Sequence, residues 1–191
     1  MAVRKFKPIS PGTRFRVGNS YEEVTTNKPE KSLLEPIKRS GGRNADGKMT
    51  MRHMGGGHKR RYRVIDWKRD KENVIGTVVS IEYDPNRTAF IALIEYADGE
   101  KRYIIAPQGL KVGAKVLAGS QATPDIGHAL FLKDVPLGSS IHNVELYPGQ
   151  GGAIVRSAGT SATMMGREER YAVIKLPSGE NRMVLANCIA T

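Results

Sequence analysis

The sequence predicts an all-β protein, two small β-barrels carried behind an extended basic arm, and three observations predict it. Charge is segregated: residues 1–63 hold 16 Lys or Arg against 5 Asp or Glu, whereas residues 64–191 hold 14 of each, so the whole net charge of +11 sits in the first third. The apolar residues of that stretch follow neither a strand nor a helix period and are interrupted by eight Gly and four Pro, so it buries little surface to offset its ordering entropy. From Arg63 onward, short β-branched and aromatic runs alternate with turn chemistry, and small closed sheets are the economical way to leave no exposed edges.

In order, residues 1–63 are expected as an arm that takes its shape from its partner and is separable from the barrels. The first unit, 64–125, opens with Val64-Ile65-Asp66-Trp67 and the long run from Val74 to Tyr83, in which Gly76 suggests a bulge or bend. Asp84-Pro85-Asn86-Arg87 is a turn, because Pro85 presets φ while Asp84 and Asn86 can bond their own backbone. Phe90–Tyr96 and Lys101–Ile105 flank Asp98-Gly99, a strong hairpin signal. A short run, Lys111–Leu117, ends at the polar stretch 119–125, where the boundary is set. The second unit, 126–191, carries runs at Ile141–Leu146, Ala153–Arg156, Ala162–Met165, Tyr171–Leu176 and Arg182–Leu185, with Ser178-Gly179 as the last hairpin turn. Trp67, Tyr83, Tyr96 and Tyr103 are expected in the barrel cores.

Several classes are excluded. Cys188 is the only cysteine, which rules out an internal disulfide and a Cys-based zinc site and fits a buried apolar role in a reducing compartment. No apolar stretch approaches the ~20 residues a membrane helix needs, and the amino terminus lacks a secretory signal core. The glycine clusters satisfy neither the phosphate-loop pattern, since Arg60 follows Lys59, nor the dinucleotide pattern, since Ile154 stands where a third glycine belongs in Gly149-Gln150-Gly151-Gly152. No nucleophile elbow or paired-carboxylate motif is present. The protein is therefore expected not to be an enzyme, and no cofactor, metal or small-molecule substrate is expected. His53 and His58 lie among cations that would repel a metal; stacking on or donating to unpaired bases suits them better. His128 and His142 are expected to be satisfied structural histidines.

The densest chemistry is Arg52-His53-Met54-Gly55-Gly56-Gly57-His58-Lys59-Arg60-Arg61-Tyr62-Arg63, preceded by Lys38, Arg39 and Ser40-Gly41-Gly42-Arg43-Asn44. Glycines let backbone amides approach phosphates, and the flanking guanidinium and ammonium groups supply charge and donors. Across 38–63 only Asp46 opposes these cations, so an external polyanion is the natural counter-charge rather than a plain basic linker. The candidate RNA-binding residues are Lys38, Arg39, Arg43, Arg52, His53, Gly55, Gly56, Gly57, His58, Lys59, Arg60, Arg61, Arg63, Lys68 and Arg69, with Arg156 and Arg182 on the second unit.

At these residues the chain resembles the bacterial form of the universal second protein of the large ribosomal subunit. The blocks run from Ala2-Val3-Arg4-Lys5 and Pro8-Ile9-Ser10-Pro11-Gly12 through the segments just quoted to Ile65-Asp66-Trp67-Lys68-Arg69. They resume at Glu82–Arg87, Asp98–Ile104, Ala106–Leu110, Ile141–Glu145, Pro148–Gly152 and Arg156-Ser157-Ala158-Gly159. The resemblance implies an oligonucleotide-binding-type barrel at about 64–125 and an SH3-like barrel at about 126–191. It also implies binding to large-subunit ribosomal RNA early in assembly, support of subunit association and of the peptidyl-transferase region, neighbouring ribosomal proteins and the small subunit as further partners, and a cytoplasmic address in the ribosome. Because family-like pairing begins almost at Met1, no transit peptide is expected. Family members continue past the point matching Thr191 into a basic tail; that tail has no counterpart here, so nothing tied to its histidine is assigned to a residue of this sequence. The alternative is a free-standing single-stranded nucleic-acid-binding regulatory module that uses a barrel groove and its aromatics.

Overall fold

A computed structural model describes residues 3–191; Met1 and Ala2, which head the arm and the resemblance, lie outside the described residues. In chain order the strands are β1 (Val3–Lys5), β2 (Val17–Asn19), β3 (Leu34–Pro36), β4 (Arg61–Arg63), β5 (Gly76–Glu82), β6 (Ile91–Tyr96) and β7 (Lys101–Ile105). They continue with β8 (Lys115–Val116), β9 (Leu130–Phe131), β10 (Ser140–Ile141), β11 (Ala162–Arg167), β12 (Tyr171–Lys175), β13 (Asn181–Leu185) and β14 (Ile189–Ala190). Helix is confined, among the described residues, to one turn at Pro11–Arg14 and a 3₁₀ turn at Lys31–Leu33. The all-β class stands, and the curled sheets fit the oligonucleotide-binding-type and SH3-like barrels.

The first unit is a four-stranded antiparallel sheet in the order β7-β6-β5-β8. Asp98-Gly99 turns β6 into β7 as expected: Gly99 has φ +81° and its N–H donates to Tyr96 O at 2.9 Å. Strand β6 is buried on both faces. Ala92, Ile94 and Tyr96 join Val78, Ile104, Leu110 and Val116 on one side, while Ile91 and Leu93 join Tyr103 and Ile65 on the other. Burying each such isoleucine is worth about 1.5–3 kcal/mol, so neither face is left open to water.

What covers the second face corrects the expected arm. Leu33 packs against that core, Thr26 bridges Glu82 in parallel, and Thr25 N–H donates to Ile81 O at 2.9 Å. Glu30 N–H donates to the Tyr103 hydroxyl at 2.8 Å, and β3 pairs with β4 in the register Leu34↔Arg63. Residues 25–36 are thus bound into the first unit by backbone pairing, the Tyr103 hydroxyl and Leu33, so this part of the arm is not separate from the sheet as expected.

Other runs deviate for local reasons. Val64–Trp67 contributes only the bridge Ile65↔Tyr103, and Lys111–Leu117 only the two residues of β8. The bulge of β5 falls between Val78 and Ser80, not at Gly76; a Cβ at Gly76 would lie 2.4 Å from Ile94 Cγ2, so glycine there permits close strand approach. The turn at Asp84 forms as expected, with Asn86 N–H donating to Asp84 Oδ1 at 2.9 Å.

In the second unit β10-β11-β12-β13 form one sheet and β9 pairs with β14, around a core that includes Leu132, Val144, Met164, Ile174 and Cys188. Burial pushes the Cys188 thiol up to about 11, in keeping with an apolar role. The runs at Ile141–Leu146 and Ala153–Arg156 shrink to β10 and the single bridge Val144↔Ile154, because Val155 sits at φ +56°, where a β-branched residue cannot continue a strand. Glu145, 1% exposed, closes the unit: its carboxylate accepts from Gly151 N–H at 2.8 Å and from Ile189 N–H at 3.0 Å.

The two units meet around Trp67. The Arg156 guanidinium lies 4.5 Å and that of Arg87 5.3 Å from its ring, Gly152 N–H donates to its carbonyl at 2.8 Å, and a Cβ on Gly151 would come within 3.1 Å of Trp67 Cβ.

Candidate nucleic-acid interface

Between β3 and β4 the chain leaves the sheet as an exposed loop carrying most of the candidate residues. Its base is a small built hairpin. Gly42 O accepts from Thr50 and Met51 N–H at 2.9 and 3.1 Å, Lys48 N–H donates to Asn44 Oδ1 at 2.9 Å, and Arg43 donates to Gly47 O at 3.1 Å. Gly42, at φ +78°, would place a Cβ 2.3 Å from Met51 O, so only glycine fits. Farther on, Arg39 donates to Gly56 O, which ties the two limbs together.

Gly55 and Gly56 are different. A Cβ at either meets nothing within 4 Å and neither has a left-handed φ, so nothing inside the chain requires glycine there. Close approach of an outside group to the backbone is the remaining physical use for them.

The loop's charge is uncompensated. Among the described residues Lys38, Arg39, Arg43, Arg52, Lys59, Arg60 and Arg61 form no ion pair. Acids of the first unit pair with its own cations: Asp98 and Glu100 with Lys71, Asp66 with Arg102 at 3.1 Å, and Asp84 with Arg87 at 2.5 Å. His53, at φ +62°, and His58 are exposed with this group. Among the described residues no three His, Cys, Asp or Glu are grouped to hold a metal ion, and no helix is long and apolar enough to cross a membrane.

Not every candidate belongs to this surface. Arg63 is half-withdrawn, its Nη1 donating to Arg61 O at 3.0 Å and lying 4.0 Å from Asp84. Arg69 is 2% exposed, with its guanidinium donating to Gly127 O at 3.2 Å, and burial lowers its pKa. It is an interior residue, because the left-handed turn at Arg69 (φ +53°), fixed by its N–H on Asp66, sends it inward while Lys68 stays exposed. Arg156 is occupied on Trp67 and Gly152 O, and Arg182 stands exposed on β13 opposite Ile174 with no hydrogen bond to the loop among the described residues.

Two expectations about rings are corrected. Tyr96 and Tyr103 are core, but Tyr83 is 47% exposed, since the β5 bulge shifts the strand's alternation and turns residue 83 outward. His128 is satisfied by Thr123 and Lys115 carbonyls, whereas His142 Nε2 is secluded without a partner among the described residues, and burial first, with Arg69 second, drops its pKa to about 4.

Two charge-balanced β units bearing a cationic, glycine-containing loop form the architecture of a structural protein that binds polyanions. Family models match both parts: "Ribosomal Proteins L2, RNA binding N-terminal domain" over residues 30–118 and "Ribosomal Proteins L2, C-terminal domain" over 125–191. The first match begins within the segment that covers the sheet. The chain is 62% identical over 191 residues to the large ribosomal subunit protein uL2 of Flavobacterium johnsoniae, covering 100% of this chain and 70% of that protein. It is 64% identical over 192 residues to the uL2 of Christiangramia forsetii and 61% over 191 to that of Cytophaga hutchinsonii, covering 100% of this chain in each case and 69% and 68% of those proteins. The chain belongs to the ribosomal protein L2 family.

Proposed function

We propose that the protein is a structural constituent of the large ribosomal subunit, not an enzyme, and holds ribosomal RNA through the loop between β3 and β4. The observation that carries this is the set of seven exposed Lys and Arg side chains, from Lys38 to Arg61, none of which forms an ion pair among the described residues, with Asp46 the one acid in that stretch of sequence. Phosphate contacts of this kind position a protein on folded RNA without reading sequence. Gly55, Gly56 and Gly57 let the backbone join those contacts, His53 and His58 reach riboses and unpaired bases, and Lys68 and Arg182 extend the footprint. Residues 1–63 act as the RNA-binding arm, anchored through residues 25–36 on a barrel at 64–125 and followed by a second barrel at 126–191. The match to an RNA-binding N-terminal domain and the likeness to large-subunit ribosomal proteins support this reading.

On the same reading the protein binds early in assembly, works in the cytoplasmic ribosome, and has neighbouring ribosomal proteins and the small subunit as further partners. It supports subunit association and the peptidyl-transferase region. The test is filter binding to large-subunit ribosomal RNA by the intact chain and by a variant with those seven cations changed to Gln. With about 6–10 phosphate contacts, affinity of the intact chain falls roughly 10³- to 10⁵-fold between about 50 and 200 mM salt. The variant is expected to bind weakly with a shallow salt slope; equal affinity and slope would sink the proposal.

A further inference from the structure

Beside the loop's return limb lies a cavity of about 480 Å³ whose walls include His58, Lys59, Arg60, Arg63, Tyr83 and Pro85. That volume is in the ~300–1,000 Å³ range of pockets that hold small organic groups. Its lining combines cationic or imidazole groups with the Tyr83 phenol ring, Leu34 and two prolines, and contains no Asp or Glu among the described residues. The floor is fixed. Arg61 O accepts both from Arg63 Nη1 at 3.0 Å and from Asn86 Nδ2 at 2.7 Å, and β4 is paired to β3. Tyr83 is braced from behind by Tyr21, edge to face with ring centres 5.5 Å apart, which holds a half-exposed ring in place. Arg63 Nε is secluded and has no partner among the described residues.

A half-exposed aromatic ring in the same cavity as several phosphate-type donors matches one ligand class well. We propose that this cavity receives a single unpaired nucleotide of the bound RNA, its base against the Tyr83 ring and its phosphate among Lys59, Arg60 and Arg61. The inference rests on the RNA-binding reading above and adds a stacking contact to it. A stacked base is neutral in its contribution to salt dependence, whereas phosphate contacts set the salt slope. Affinity and slope therefore separate the two.

The experiment uses the full chain and large-subunit ribosomal RNA. Tyr83→Ala is expected to weaken binding about tenfold with an unchanged salt slope, within the range for one stacked base. Tyr83→Phe, which keeps the ring, is expected to bind like the parent, and Tyr21→Ala, which loosens the ring without removing it, to lose less than Tyr83→Ala. Ultraviolet irradiation of the parent complex is expected to leave a nucleotide adduct on the peptide containing Tyr83, a readout independent of any variant's folding. Unchanged affinity in Tyr83→Ala, or an equal loss in Tyr21→Ala, together with no adduct, overturns the pocket; if the seven-cation variant still loses binding in the same assay, the broader RNA reading survives. Adenosine monophosphate at millimolar concentration is expected to leave the complex intact, and its displacing the RNA would overturn the strand-borne source in favour of a free nucleotide. Displacement by polyglutamate but not by short oligoribonucleotides would instead indicate an acidic protein and overturn the proposal.

Discussion

The Tyr103 hydroxyl donates to the Glu82 carboxylate at 2.8 Å inside the first unit, and the same oxygen accepts from Glu30 N–H at 2.8 Å. One phenol therefore fastens the N-terminal segment to the sheet it covers. Tyr103→Phe leaves a buried acceptor and a backbone donor without partners, so unfolding in urea is expected to show a loss of about 1–3 kcal/mol. The Glu82 carboxyl is held above its ordinary range by burial, with the Tyr103 and Ser80 hydrogen bonds working the other way. A raised folded value gives stability that is full below the unfolded value and lost as pH rises through the folded one. Since the Tyr103 donor favours the charged form, the deficit of Tyr103→Phe is expected to be larger at neutral pH than in mild acid; a pH-independent deficit would contradict this.

Arg69 offers a test of which cations serve RNA. Its burial means that Arg69→Met is expected to leave RNA affinity and salt slope unchanged in the filter assay, while stability changes little or rises, because a desolvated cation with a partnerless Nε is replaced by a chain of similar length. A drop in affinity comparable to that of any single loop substitution would put Arg69 back on the interface.

Trp67 is the joint between the units. Trp67→Ala removes both guanidinium stacks, each worth about 0.5–2 kcal/mol, and the surface against which Gly151 rests. Calorimetry is expected to resolve two transitions in place of one, with trypsin gaining access to the segment around residues 119–127. A single cooperative transition in the variant would show that the units are joined mainly elsewhere.

His142 sets an acid limit. With a folded pKa of about 4 against 6.5 for the ordinary imidazole, stability is full above about 6.5 and is lost as pH falls towards 4, by up to about 3 kcal/mol. His142→Phe removes the titrating group and the partnerless Nε2, so its stability is expected to stay flat over that interval in acid-titrated thermal melts. An undiminished acid limb in the variant would assign it to other groups.

Much of this was readable in the residues. The hairpins at Asp98-Gly99 and Ser178-Gly179 and the turn at Asp84-Pro85 depend on backbone chemistry that two or three residues encode, and they form as expected. The coverage of the first sheet by residues 25–36 was encoded differently: Ile91-Ala92-Leu93-Ile94 is continuously apolar, a pattern of a strand buried on both faces. It tells that a cover exists without telling which segment supplies it, since Thr25, Thr26 and Leu33 carry no period of their own. Loop cations such as Arg39 and Arg60 were visible as charge, but the exposure of Tyr83 depended on a bulge that no residue type announces, and the burial of Arg69 on a left-handed turn at a non-glycine position.

The pairing of β9 with β14, and the hold of Glu145 on Ile189, have a consequence for biogenesis. A polypeptide emerges from its factory in one direction and folds unit by unit as it appears. The first module has every strand of its sheet once Val116 has emerged, whereas the second cannot seal until Ala190 is available to lie beside Leu130. The earlier module, with its cationic loop already displayed, is therefore free to meet a polyanion while its sibling is still being made.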